Sequence, residues 1–141
     1  MHPLLLIVIA TISFGSYSIF MKLASPHVNQ VFGAAFVSVV GASIGMIVWL
    51  LTQRHVPIYT DPKGLLFIAL TGTTVFITEY LVLRIYSGGV PITISAPIIV
   101  GGGLAFSVIT GVFLGESMTL VKLAGIGCVL AGAVILSVFA H

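Results

Sequence analysis

Charge is what this sequence has least of: only 6% of its 141 residues are Asp, Glu, Lys or Arg. A domain that folds in water carries roughly 25%, so an ordinary soluble protein is excluded. Disorder is excluded as well, because it needs few apolar side chains, and here 59% are hydrophobic. The lone Cys128 cannot close an intrachain disulfide, and in its apolar run inert burial is expected. Histidine is missing from the hydrophobic runs, since His2, His27, His55 and His141 all fall in connections or at the ends. There is no HExxH, no metal-spaced Cys/His set, no phosphate loop and no second carboxylate near Glu79. Enzyme chemistry, a metal site and any other cofactor are therefore not expected. Five basic and three acidic residues give a net charge of +2 without a basic cluster, so nucleic acid is not a partner.

What the chain does have is length in its apolar runs. Mean hydropathy is +1.29, and the few charges divide the sequence into five uncharged or nearly uncharged stretches. These place membrane spans at about 3–24, 31–52, 64–86, 91–114 and 119–140 within one membrane domain over residues 1–141. At ~1.5 Å per residue each crosses about 30 Å of hydrocarbon as a helix. Barrel strands would be near 10 residues and alternate strictly, which these do not. The opening MHPLLLIVIATISFGSYS superficially resembles a signal peptide. It lacks a positive n-region and four more runs follow, so it reads as a retained first span. The fold class expected is all-α integral membrane, with five transmembrane helices.

The connections carry their own signals. Asp61-Pro62 is an N-cap followed by proline at the first helical position. Ser87-Gly88-Gly89 stops the third helix and Pro91 opens the fourth. Trp49 and Tyr59 flank the second connection, where amphipathic rings favour the interface. With the N-terminus inside, the inner connections hold Arg54, Lys63 and Lys122 and the outer ones Lys22 and Arg84. Three against two is a feeble positive-inside bias, compatible with one weakly specified orientation or with insertion both ways.

Glu79 is the main functional candidate, because a carboxylate within a span marks a pathway, a proton site or a paired charge. Taking the third helix as 64–86 puts it about 6 Å from the midplane. Arg84, five residues on, is about 140° around the helix and does not share its face. Lys22 is the better partner: the first and third helices run parallel, and its long stem can reach. A buried Lys22–Glu79 bridge that holds the two helices is one reading. The other is a carboxylate that binds a proton or a cationic substrate, with Lys22 tuning its acidity.

Other residues inside the spans each have two readings. Thr71, Thr74 and Thr78 share a face and can line a polar path, although bonding back to their own helix is commoner. In ITISAPIIVGGGLAF, Pro97 removes a backbone hydrogen bond and should kink the fourth helix, freeing carbonyls near Thr93. Gly101, Gly102 and Gly103 follow near the helix centre, as in a broken transporter helix or in close helix packing. Gly41-x-x-x-Gly45 and Gly111-x-x-x-Gly115 suit close contact but arise by chance among 16 glycines. Phe14, Tyr17, Phe76, Tyr80 and Tyr86 can line a cavity for organic molecules, and packing is the plainer role for each. Glu116 reads as structural, its charge complementing the positive end of the fifth helix.

SFGSYSIFMKLAS in the first span, YLVLRIYSGG, and ISAPIIVGGGLAFSVITGVFLGESMTLVKLAGIGCVLAGAVIL carry a resemblance. Together they resemble one five-helix EamA-like unit of the drug/metabolite transporter superfamily. In that family an aromatic-rich third helix runs into a small-residue turn, a proline-bearing fourth helix ends in an "lGE" turn, and a glycine-rich fifth helix follows. Here these features fall on Pro97, Gly115, Glu116, Gly125 and Gly132, and the first-span lysine on Lys22. Most EamA-like transporters join two such units inserted oppositely, and this sequence holds one. The resemblance therefore implies an inverted pair, and for a homodimer of five-span chains both orientations must be made. The related small multidrug-resistance proteins carry an acid in the first span, which this chain lacks, so their chemistry is not carried over.

The expected function is secondary transport of small organic metabolites or drugs, with proton coupling as one option, by alternating access in an antiparallel homodimer of the cell (inner) membrane. The partners implied are the small-molecule substrate, membrane lipid and a second copy. Glu79 and Lys22 supply charge, Tyr17 and Tyr80 supply contact, and Pro97 with Gly101, Gly102 and Gly103 opens the helix at the cavity. The alternatives are a non-transporting or half-transporter subunit of a heteromer, and a lipid-carrier flippase.

Overall fold

The computed structural model describes residues 3–52 and 61–138, with backbone alone for Pro3 and Ser137. Arg54, His55 and Tyr59 in the second connection, and His2 and His141 at the ends, lie outside the described residues. Those residues form five helices and no strand: α1 (Pro3–Ala24), α2 (Gln30–Thr52), α3 (Pro62–Ser87), α4 (Ile92–Phe113) and α5 (Leu120–Val138). Helices α1 to α4 are each long and apolar enough to cross a membrane. The apolar stretch of α5, Leu120–Leu136, is shorter.

Helix ends follow from identifiable side chains. Asn29 caps α2, its Oδ1 accepting from the backbone N–H groups of Val31 and Phe32 at 3.0 and 3.2 Å. Asp61 caps α3 through the Lys63 N–H at 3.2 Å, with Pro62 in the first turn. Thr119 caps α5 through the Lys122 N–H at 3.3 Å. The end of α4 is a Schellman turn: the Glu116 N–H returns to the Gly111 carbonyl and the Gly115 N–H to that of Val112, both at 3.0 Å. Gly115 holds φ +88° there, a conformation that a Cβ penalises.

The chain divides into two compact units, Ile19–Gly88 and Met1–Ser18 with Gly89–His141. In the first, α2 packs on α3. Gln30 meets Ser87, Gly33 meets Leu83 and Ser38 meets Glu79, so rising numbers on α2 oppose falling numbers on α3 and the helices are antiparallel. Gly33 and Ala34 are buried there with Val82, Leu83 and Tyr86. Small residues on one helix admit the large ones of the other, which is how helices approach closely in lipid. In the second unit α4 packs on α5. A Cβ on Gly101 would stand 3.1 Å from that of Ala133.

Burial runs opposite to that of a soluble protein. Leu, Ile, Val and Phe side chains stand exposed along all five helices, while Ser18, Ser25, Glu79 and Ser95 are buried. No helix has a strongly polar face to offer water, so its outer surface suits hydrocarbon. Among the described residues no buried side-chain polar atom is left without a hydrogen-bond partner. That is what a low-dielectric surrounding demands.

Candidate functional site

Glu79 is 6% exposed, about two-thirds of the way along α3. Its carboxylate meets α2 rather than α1: the Ser38 hydroxyl lies 3.1 Å from Oε2 and 3.2 Å from the Ala34 carbonyl oxygen one turn back. Antiparallel packing places Ser38 there, because Gly33 and Ala34 let α2 settle against Leu83 and Val82. The second serine of α2, Ser43, bonds back to Val39 at 2.8 Å and is exposed.

Lys22 answers a different need. Its Nζ donates to the Tyr86 carbonyl at 3.3 Å and lies 5.3 Å from the centroid of the Tyr86 ring. A cation on the last turn of α3 complements the negative end of the helix and the face of an aromatic ring. Tyr86 is seven residues beyond Glu79, about 10 Å along the axis. The salt bridge that helix arithmetic pointed to is thus replaced by a hydroxyl on the acid and by an aromatic and carbonyl seat for the base.

Tyr80 is half-buried, and its hydroxyl accepts from Arg84 Nη1 at 3.0 Å. Tyr17 belongs to the other unit, and its ring is tilted by 31° against that of Phe14, with 5.9 Å between centroids. Pro97 and the glycines after it also belong to that unit, and there α4 runs as one helix through Pro97, Gly101, Gly102 and Gly103. The proline is six residues into α4, where it removes a single bond near the helix start. Gly101 is buried on Ala133, while Gly102 and Gly103 are exposed.

The remaining expectations fare differently, and the threonines follow the commoner of their two readings. The hydroxyls of Thr71, Thr74 and Thr78 bond to carbonyls of their own helix at 2.8 to 2.9 Å. Cys128 is exposed on α5, not buried, because that helix turns most of its side chains outward. Glu116 lies four residues before α5 and folds back on α4, where its Oε2 would stand 3.0 Å from a Cβ on Gly111. The Gly111/Gly115 pair therefore serves a helix stop and not a helix crossing. Gly41 and Gly45 have nothing within 4 Å of an added Cβ.

Between α4 and α5 lies a cavity of about 410 Å³. Leu104, Val108 and Ile126 line it, with Glu116 and Lys122 at the α4–α5 turn. Lys122 Nζ donates to the Ser117 carbonyl at 3.0 Å. Among the described residues no group of His, Cys, Asp and Glu is arranged to hold a metal ion.

Glu79 is thus a carboxylate buried within a long apolar helix, with a hydroxyl from the next helix on it. The model of the EamA-like transporter family matches residues 1–138. The chain belongs to that family. No curated protein and no solved structure matches it. EamA membership and the apolar helices together make this a multi-pass membrane protein of the drug/metabolite transporter superfamily. The EamA pattern also accounts for the glycine-glutamate turn after α4, whose glycine has the positive φ described above.

Ser38 is the site residue that the sequence did not expose. Nothing in AAFVSVVGASIG separates Ser38 from Ser43 until the register of α2 on α3 is known.

Proposed function

We propose that the chain is a secondary transporter of small organic metabolites or drugs. It works by alternating access as an antiparallel homodimer in the cell membrane, and Glu79 takes a proton or a cationic substrate. The observation that carries this reading is the burial of Glu79 in mid-span within a transporter-family chain. Such a carboxylate is costly where it has no task. The weak charge bias and the odd number of spans favour pairing of inverted copies. Measured from the centre of α3, Glu79 is about 7 Å off the midplane, so inverted copies hold their carboxylates about 14 Å apart in depth. Each then titrates nearly independently of the other.

The test uses the purified chain in proteoliposomes with candidate organic cations and metabolites. Glu79→Gln is expected to abolish proton-linked uptake while leaving the helical fold. Uptake at wild-type rate and with wild-type pH dependence in that variant removes Glu79 from the mechanism. Orientation is read in cells with two reporters after His141, one active only outside and one only in the cytoplasm. Signal from both supports the inverted homodimer. Signal from one alone replaces it with a heteromer in which this chain is one half.

A further inference from the structure

The hydroxyl of Ser38 stands within reach of two acceptors, Glu79 Oε2 at 3.1 Å and the Ala34 carbonyl at 3.2 Å. A hydroxyl has one proton and two lone pairs, so it cannot donate fully to both. The Ala34 carbonyl also accepts the α-helical N–H of Ser38, as every interior helix carbonyl does from four residues on. It is therefore never orphaned when the hydroxyl turns away. Around this couple α2 contributes no ionisable side chain at all. Of the charged groups on the elements packed here, Arg84 is held on Tyr80, Lys22 lies on Tyr86, and Lys63 sits at the opposite end of α3.

We propose that Ser38 is a two-way positioning residue that satisfies Glu79 in both of its protonation states and so makes it a proton-exchanging group. This rests on the reading of Glu79 given above and adds the means by which it works. With the carboxylate ionised, the Ser38 O–H points at Oε2 and donates. When a proton from the aqueous phase adds to the carboxylate, the new acid O–H donates to a lone pair of Ser38 Oγ. The serine proton then swings to the Ala34 carbonyl. No bond to carbon changes, Ser38 stays neutral throughout, and the proton taken up by Glu79 is the one it later returns. Neither state leaves a buried polar atom unpartnered, whereas an alanine or valine at position 38 would leave one in each. Because Ser38 is itself exposed while Glu79 is buried, the hydroxyl is also the side from which the carboxylate meets whatever approaches α2.

Infrared difference spectra of the full chain in lipid vesicles, taken between acid and alkaline pH, test this without reference to transport. The carbonyl stretch of the protonated acid is expected at the position of a hydrogen-bonded carboxyl group, and Glu79→Gln should remove it. Ser38→Ala should move that band to the higher frequency of an unpartnered carboxyl, and Ser38→Thr should restore it. Should Ser38→Ala fail to accumulate, Ser38→Cys supplies a weaker donor and should give an intermediate position. A band unchanged in Ser38→Ala or Ser38→Cys overturns the proposal, as does the absence of any band that depends on Glu79. If the band behaves as described while Glu79→Gln still transports normally, the serine couple stands and the transport role of the carboxylate falls.

Discussion

Gly33 shows how little room separates the two helices that hold the carboxylate. A Cβ there would come within 2.8 Å of Leu83 Cδ1 and 3.0 Å of Val28 Cγ2. Leu83 is 1% exposed, so its side chain is enclosed by neighbours on all sides. Gly33→Val is therefore expected to lower stability by ~1–3 kcal/mol through overpacking, and to draw Ser38 away from Glu79. Gly41→Val, on the same helix but in open space, is the control. Unfolding of both variants from mixed micelles, followed by helical signal, checks the difference, and equal stabilities would refute the contact. Residue chemistry of this kind is only half legible in sequence. Glu79 is visible as the one acid inside a span, and its position needs no partner to be noticed. Ser38 and the seat of Lys22 depend on which turn of one helix faces which turn of another, and apolar helices with exposed surfaces all round carry almost no mark of that register.

Helix ends lie closer to the sequence than helix contacts do. Asp61 with Pro62, the Ser87-Gly88-Gly89 stop and Pro91 all act where their residue types lead one to expect, because caps are local chemistry. Asp61→Ala is expected to cost about 1 kcal/mol through the loss of its bond to the Lys63 N–H, seen as faster amide exchange in the first turn of α3. Gly115→Ala places a Cβ at φ +88° and should cost about 1–2 kcal/mol, with loosening confined to the α4–α5 turn. If exchange in that turn is unaltered, the left-handed glycine is not what ends α4. Glu116 shows where proximity along the chain misleads. The acid before α5 is separated from it by Ser117, Met118 and the Thr119 cap, and the turn sends its side chain back to Gly111.

At the scale of the whole molecule the outward apolar surface and the scarcity of charge set the terms for insertion. In the topology expected from the sequence, the outer connections carry Lys22 and Arg84 and the inner ones Arg54, Lys63 and Lys122, a margin of one. Pro26→Lys with His27→Lys, at two exposed positions in the α1–α2 connection, reverses that margin. The ratio of outside to cytoplasmic reporter signal after His141 is expected to move towards the orientation that keeps the α1–α2 connection in the cytoplasm. A ratio unmoved by both lysines would show that orientation is set by something other than basic side chains. The exposed sulfur of Cys128 acquires a separate use in this setting. It lies within one residue of the midpoint of α5, so turning a copy upside down leaves it at nearly the same depth. A spin label on this one thiol would therefore act as an inversion-blind ruler. The distance between labels in a pair reports sideways separation, whichever way up the two copies are inserted.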